Sequence, residues 1–110
     1  MAFDESLSKR IEELIKNKKT HLDRKEMFGG VGYLYRGNMC IGVHKNELLV
    51  RYDPRSANEI NAGKHVRPFD ISSRPMKGWS LVSAPGLEGN GLKKWFELSL
   101  EFVKTLPEKK

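Results

Sequence analysis

The segment Met27 to Pro54, MFGGVGYLYRGNMCIGVHKNELLVRYDP, limits the possible folds of this chain more than any other. Glycines crowd its entry, and apolar residues then alternate with small or polar ones. Val31, Tyr33 and Tyr35 fall on one face of an extended strand, with Gly32, Leu34 and Arg36 on the other. Met39, Ile41 and Val43 share a face opposite Cys40, Gly42 and His44, and Leu48, Val50 and Tyr52 repeat the pattern. Gly37–Asn38 and Lys45–Asn46 are two-residue turn signals between the runs. Connections this short require antiparallel neighbours. The segment is therefore read as a three-strand meander at the centre of the fold.

Helical periodicity flanks it. Leu7, Ile11, Leu14 and Ile15 mark an amphipathic helix over residues 5–17, capped by Asp4 or Ser6. Residues 17–25 have no periodicity and read as a basic loop, followed by a short strand at Glu26–Phe28 that ends at Gly29–Gly30. After the meander, Asp53 and Pro54 open a short helix with Gly63 as its left-handed stop. Arg67–Ile71 reads as an edge strand, because Pro68 has no ladder donor. Lys77–Ala84 is a further strand. Leu92, Trp95, Phe96, Phe102, Val103 and Leu106 form the apolar stripe of a last helix that Pro107 stops. The fold class is α+β: an antiparallel meander sheet packed against N- and C-terminal helices, with a short helix after the third meander strand. One domain spans residues 1–110, with its ordered core at about 5–106.

No apolar run approaches the roughly 18 residues of a membrane span, and the N-terminus MAFDESLSKR lacks the pattern of a secretory signal. The single Cys40 excludes an internal disulfide and fits a reducing cytoplasm. Twenty Lys plus Arg against 14 Asp plus Glu give a formal charge of +6, which favours anionic partners.

Chemistry is harder to place. A nucleotide cradle counted from Gly30 and Gly32 needs a third glycine where Tyr35 stands, and a strand follows instead of a helix. His21, His44 and His65 are isolated, without metal-ligand spacing. Cys40 lies between Met39 and Ile41 as a small packed residue, and no nucleophile elbow surrounds any serine. No catalytic residue, metal or cofactor is assigned, and a binding module is expected rather than an enzyme. Basic residues interleaved with Tyr52, Phe69 and Trp79 are the better signal. Arg51, Arg55, Arg67, Arg74 and Lys77 are the candidate contacts to nucleic acid or another anion. The competing arrangement keeps the aromatics in the core and the charges dispersed. A second basic group, Lys16, Lys18, Lys19, His21, Arg24 and Lys25, is a solvated turn or a further contact. The alternative class is a small enzyme or ligand-binding protein with a pocket near Tyr33, Tyr35, Cys40 and His44. A homodimer through the edge strand at Arg67–Ile71 is a further possibility.

MFGGVGYLYRGNMCIGV, then ELLVRYDP, RPFDI and the aromatic terminal helix, resembles the TfoX/Sxy N-terminal domain family over roughly residues 5–105. The sharpest part of the resemblance is Met27, Phe28, Gly29, Gly30 and Gly32, expected to be structural, with Phe28 anchoring the core and Gly29 and Gly30 adopting φ values closed to other residues. The resemblance implies a helix–meander–helix order and a stand-alone N-terminal domain of competence regulators. Those regulators act with transcription machinery, so it also implies a protein partner there.

Overall fold

The computed structural model of the protein describes residues 4–27, 30–71 and 74–108. Helix α1, Glu5–Lys18, begins where the Asp4 carboxylate accepts from the backbone N–H groups of Ser6 and Leu7. Asp4, not Ser6, is therefore the cap. Four strands follow, β1 (Asp23–Met27), β2 (Gly30–Tyr35), β3 (Asn38–His44) and β4 (Glu47–Arg51). A 3₁₀ turn at Pro54–Ser56 leads into α2 (Ala57–Asn61). Then come β5 (Val66–Ile71), β6 (Arg74–Val82) and α3 (Gly91–Val103). The six strands form one antiparallel sheet in the order β1-β2-β3-β4-β6-β5.

The architecture is the α+β arrangement expected, with four local differences. Strand β1 starts at Asp23, inside the segment read as a basic loop. It carries charges on both faces at a sheet edge and so shows no apolar period. The first hairpin turns at Arg36–Gly37, one residue earlier than expected; both have positive φ, 52° and 85°, as a type I′ turn requires. Gly63 is not left-handed, since α2 ends at Asn61 with Ala62 still right-handed. Helix α3 ends at Val103, and residues 104–106 continue only as turns.

A further departure, from simple alternation, lies within β3. Tyr33 pairs with Ile41, but Leu34 pairs with Met39, so Cys40 is the extra residue of a β-bulge. The bulge lets Cys40 and Ile41 both reach 0% exposure. Helices α1 and α3 cover the face that carries Val31, Tyr33, Ile41, Val43, Leu48, Val50 and Tyr52. Helix α3 contributes Leu92, Phe96, Leu100 and Val103 to that core. Full burial of each such side chain stabilises by about 1.5–3 kcal/mol.

Two hydrogen-bonded clusters fix the helices on the sheet. The Tyr33 hydroxyl lies 2.7 Å from both Ser8 Oγ and Glu12 Oε2 on α1. Beneath α2, the Tyr52 hydroxyl meets Ser80 Oγ at 2.5 Å, and Ser80 Oγ donates to Asn61 Oδ1 at 2.6 Å.

The opposite face of the sheet is concave. His44 on β3 and Phe69 on β5 are separated by β4 and β6, which in a flat sheet places them about 14 Å apart. Their rings meet edge to face at 5.9 Å between centroids. Glycine permits the tight curl. A Cβ on Gly30 would overlap the carbonyl oxygen of Val43, and one on Gly42 would lie 2.6 Å from that of Val31. Gly30 is therefore required by close strand approach. Gly32 is buried opposite Gly42, and Met27 pairs with Gly30 across the β1–β2 connection. Phe28 and Gly29 lie outside the described residues.

Gly30→Val forces the β2–β3 pair apart. We expect it to cost about 3 kcal/mol or more, measured as a lower midpoint in urea unfolding. A midpoint equal to that of the parent would show that Val43 gives way freely.

Candidate functional site

Arg51 ends β4, opposite Trp79 of β6. The bulge at Cys40 terminates the β3–β4 ladder at Ile41↔Val50, so the Arg51 N–H has no partner on β3. It donates instead to Ser99 Oγ of α3 at 3.2 Å. Ser99 is fully buried, so this bond satisfies a polar group that would otherwise be costly inside a helix interface.

The Arg51 side chain turns onto aromatic rings. Its guanidinium carbon lies 5.0 Å from the Trp79 ring centroid and 5.8 Å from that of Phe102, and Nη1 donates to the Met39 carbonyl at 3.3 Å. Both distances are within cation–π range. Burial pulls the guanidinium pKa below its usual range, but arginine remains charged at any ordinary pH. Among the described residues, no carboxylate lies within ion-pair distance of Arg51.

The other sequence-predicted cations sit differently. Arg55 is exposed but forks onto Asp53, with Nη2 2.7 Å from Oδ2; hydrogen bonds from that arginine hold the Asp53 carboxyl below its ordinary pKa. Arg67 is ion-paired with Glu47 at the far end of β4. Arg74 and Lys77 are described only as residues of β6. In the second basic group, Lys18 pairs with Glu97 at 3.3 Å, His21 with Asp23 at 2.8 Å, and Arg24 with Glu12 and Glu26. Lys16, Lys19 and Lys25 are exposed.

The residues expected near a pocket do not converge. Tyr33 points at α1, Cys40 is enclosed behind Arg51, and His44 lies on the concave face against Phe69. Tyr35 is half-buried near the sheet end. A cleft of about 460 Å³ opens elsewhere, between α1 and the start of α3, lined by Lys9, Arg10, Glu13, Asn90 and Lys93 among others. Its charges are mixed, and Arg10 is spent on the Leu87 carbonyl at 2.8 Å. No metal-binding group of three His, Cys, Asp or Glu occurs among the described residues. No described helix is long and apolar enough to cross a membrane.

Met39, Ser99, Leu98 and the seating of Arg51 on Phe102 were not apparent from the sequence. The available signal was the spacing Trp95, Leu98, Phe102, an i, i+3, i+7 series beside the main core stripe.

Three outcomes follow from the packing around Arg51. Ser99→Ala strands the Arg51 N–H and should cost about 1–3 kcal/mol in chemical unfolding; an unchanged midpoint would mean water takes the bond. Burial pushes the Cys40 thiol up to about 12, so the native thiol should alkylate at least about 100-fold more slowly at pH 8 than in urea. The folded state keeps a proton that the unfolded chain releases above its ordinary thiol pKa of about 8.5. This contribution to stability is therefore complete below pH 8.5 and is lost as pH rises toward 12, with a slope of up to about 1.4 kcal/mol per pH unit. Cys40→Ala should flatten that slope relative to the parent.

A family model described as the TfoX N-terminal domain matches residues 16–103. The match runs from the end of α1 through the last residue of α3 and includes Arg51, Trp79, Leu98 and Phe102. No curated protein and no solved structure matches the chain.

Proposed function

This chain belongs to the TfoX N-terminal domain family, and on that premise we propose that it is a cytoplasmic regulatory interaction module whose working contact is a protein met at Arg51. The observation that carries the reading is the state of that arginine. Its charge is backed by Trp79 and Phe102 and has no carboxylate among the described residues, whereas Arg55 and Arg67 are each paired within the domain. An arginine flattened on aromatic rings is typical of protein-contact hot spots. It also retains hydrogen-bond donors beyond the one given to Met39. The buried thiol suits a reducing compartment.

The formal charge of +6 favours a second reading, contact with nucleic acid through Arg51, Arg55, Arg67, Arg74 and Lys77. Salt dependence separates the two. With mixed-sequence duplex and single strands, the protein-contact reading expects only weak binding that vanishes near physiological salt. That residual binding should fall alike in Arg51→Ala and Arg55→Ala. Photo-crosslinking from position 98 in growing cells should then give a discrete protein adduct that Arg51→Ala removes and Arg55→Ala retains. Salt-resistant nucleic-acid binding lost selectively in Arg51→Ala would transfer the site to nucleic acid. Absence of any Arg51-dependent protein adduct would end the protein-contact reading.

A further inference from the structure

Helix α3 has two flanks beside its buried stripe. On one, Glu97 pairs with Lys18 of α1. At 100° per residue, Trp95, Leu98 and Phe102 line the other. Trp95 and Phe102 are half-buried against the core, and Leu98 is 41% exposed. Among the described residues it is the large hydrophobic side chain left open to solvent. A single exposed leucine is ordinary. Here it lies between two aromatic residues on one stripe, and Phe102 carries the stripe to Arg51 and Trp79. Exposed Lys94 and Glu101 border Leu98 on its solvent side and offset each other. The surface thus combines an aromatic and aliphatic strip with one partly desolvated, carboxylate-free positive charge at its end.

We propose that this flank of α3, from Trp95 through Leu98 and Phe102 to Arg51, docks an acidic amphipathic helix of a partner protein. The inference rests on the protein-contact reading and specifies its chemistry. Helix-in-groove recognition places apolar anchors at i, i+3, i+4 and i+7 along such a strip. A glutamate or aspartate beside those anchors supplies the carboxylate that Arg51 lacks, and the fork of Arg51 donates two parallel hydrogen bonds to it. The partner is acidic because the receiving charge is positive and the whole chain carries +6. Phosphate alone would engage Arg51 but leave the strip uncovered, so a segment with both characters fits the surface better than nucleic acid does.

The probe is a labelled synthetic helix with leucines at i, i+3, i+4 and i+7 and glutamates along one flank. Two control peptides replace the glutamates with glutamine or lysine. Binding is read by anisotropy and by the indole signals of Trp79 and Trp95 in nuclear magnetic resonance spectra. The glutamate peptide should bind at least about tenfold tighter than either control, because an unpaired desolvated charge is costly, and should shift both indoles. Leu98→Lys should weaken it about tenfold although it adds positive charge, since the lost anchor is apolar. Arg55→Ala should leave it unchanged. The peptide controls test the charge without altering the protein, so the proposal stays testable if Arg51→Ala fails to fold. Equal affinity for the three peptides, or an unaffected Leu98→Lys protein, would overturn it. If no acidic peptide binds while the Arg51-dependent protein adduct persists, this inference fails and the protein-contact reading stands. Displacement of the peptide by a single-stranded oligonucleotide of equal charge at lower concentration would overturn both.

Discussion

One inserted residue organises the Arg51 end of this molecule. Cys40 interrupts the β2–β3 register, rotates its own side chain into the core and ends the β3–β4 ladder one residue before Arg51. A backbone donor is thereby released at the end of β4. Its partner is a side chain, Ser99, on the buried face of α3. That bond ties the helix axis to the strand end at a defined height. Phe102, one turn later, then lies over the Arg51 guanidinium while Trp79 holds it from β6. Take away the bulge and Arg51 N–H would pair within the sheet, Ser99 would lose its donor, and the arginine would no longer be held between two elements.

The charge of the domain is organised by subtraction. Most of the described arginines singled out by composition are neutralised where they stand, by Asp53, Glu47, Glu12 or Glu26. Exposed pairs of this kind add little stability, at most about 1 kcal/mol each. Their larger effect is on the field, because a paired cation presents a dipole rather than a charge to an approaching partner. Arg51 differs by environment. Aromatic rings replace part of its water, which raises the cost of leaving its donors unmatched and so raises the gain from an incoming carboxylate.

Much of the fold was legible because its signals are local and repeated. The alternation of Leu48, Val50 and Tyr52, the hairpin turns and the stripe from Leu92 to Val103 each report a face that water does not reach. Strand β1 was hidden because an edge strand with charges on both faces, DRKEM, has no hydrophobic period to detect. The pairing of β4 with β6 joins residues some thirty positions apart, and nothing in either run specifies that neighbour. The site was only half visible. Arg51 stood out by type and company, but its contact with Phe102 depends on the bulge, and the sequence around Cys40 reads as unbroken alternation. Spacing likewise could not show that Arg67 meets a carboxylate, since Glu47 reaches it across β6.

The same curl that joins His44 to Phe69 decides where a partner can approach. On the concave face Leu49 and Leu81 are already buried, and His44 meets Phe69. The helix-covered face is occupied by α1 and α3, which the Tyr33 cluster and Ser99 lock in place. The margin where α3 packs on β3 and β4 is open at Leu98 and carries Arg51, with Trp79 of β6 beside it. Side chains there project from a helix and two strands rather than from loops, so their relative positions are set by packing and ladder bonds. A contact built at such a margin loses little conformational entropy on binding, because Arg51, Trp79 and Phe102 are already ordered against one another. Rigidity of this kind suits the proposed recognition role, since affinity then depends on the chemistry of the partner and not on rearranging the fold.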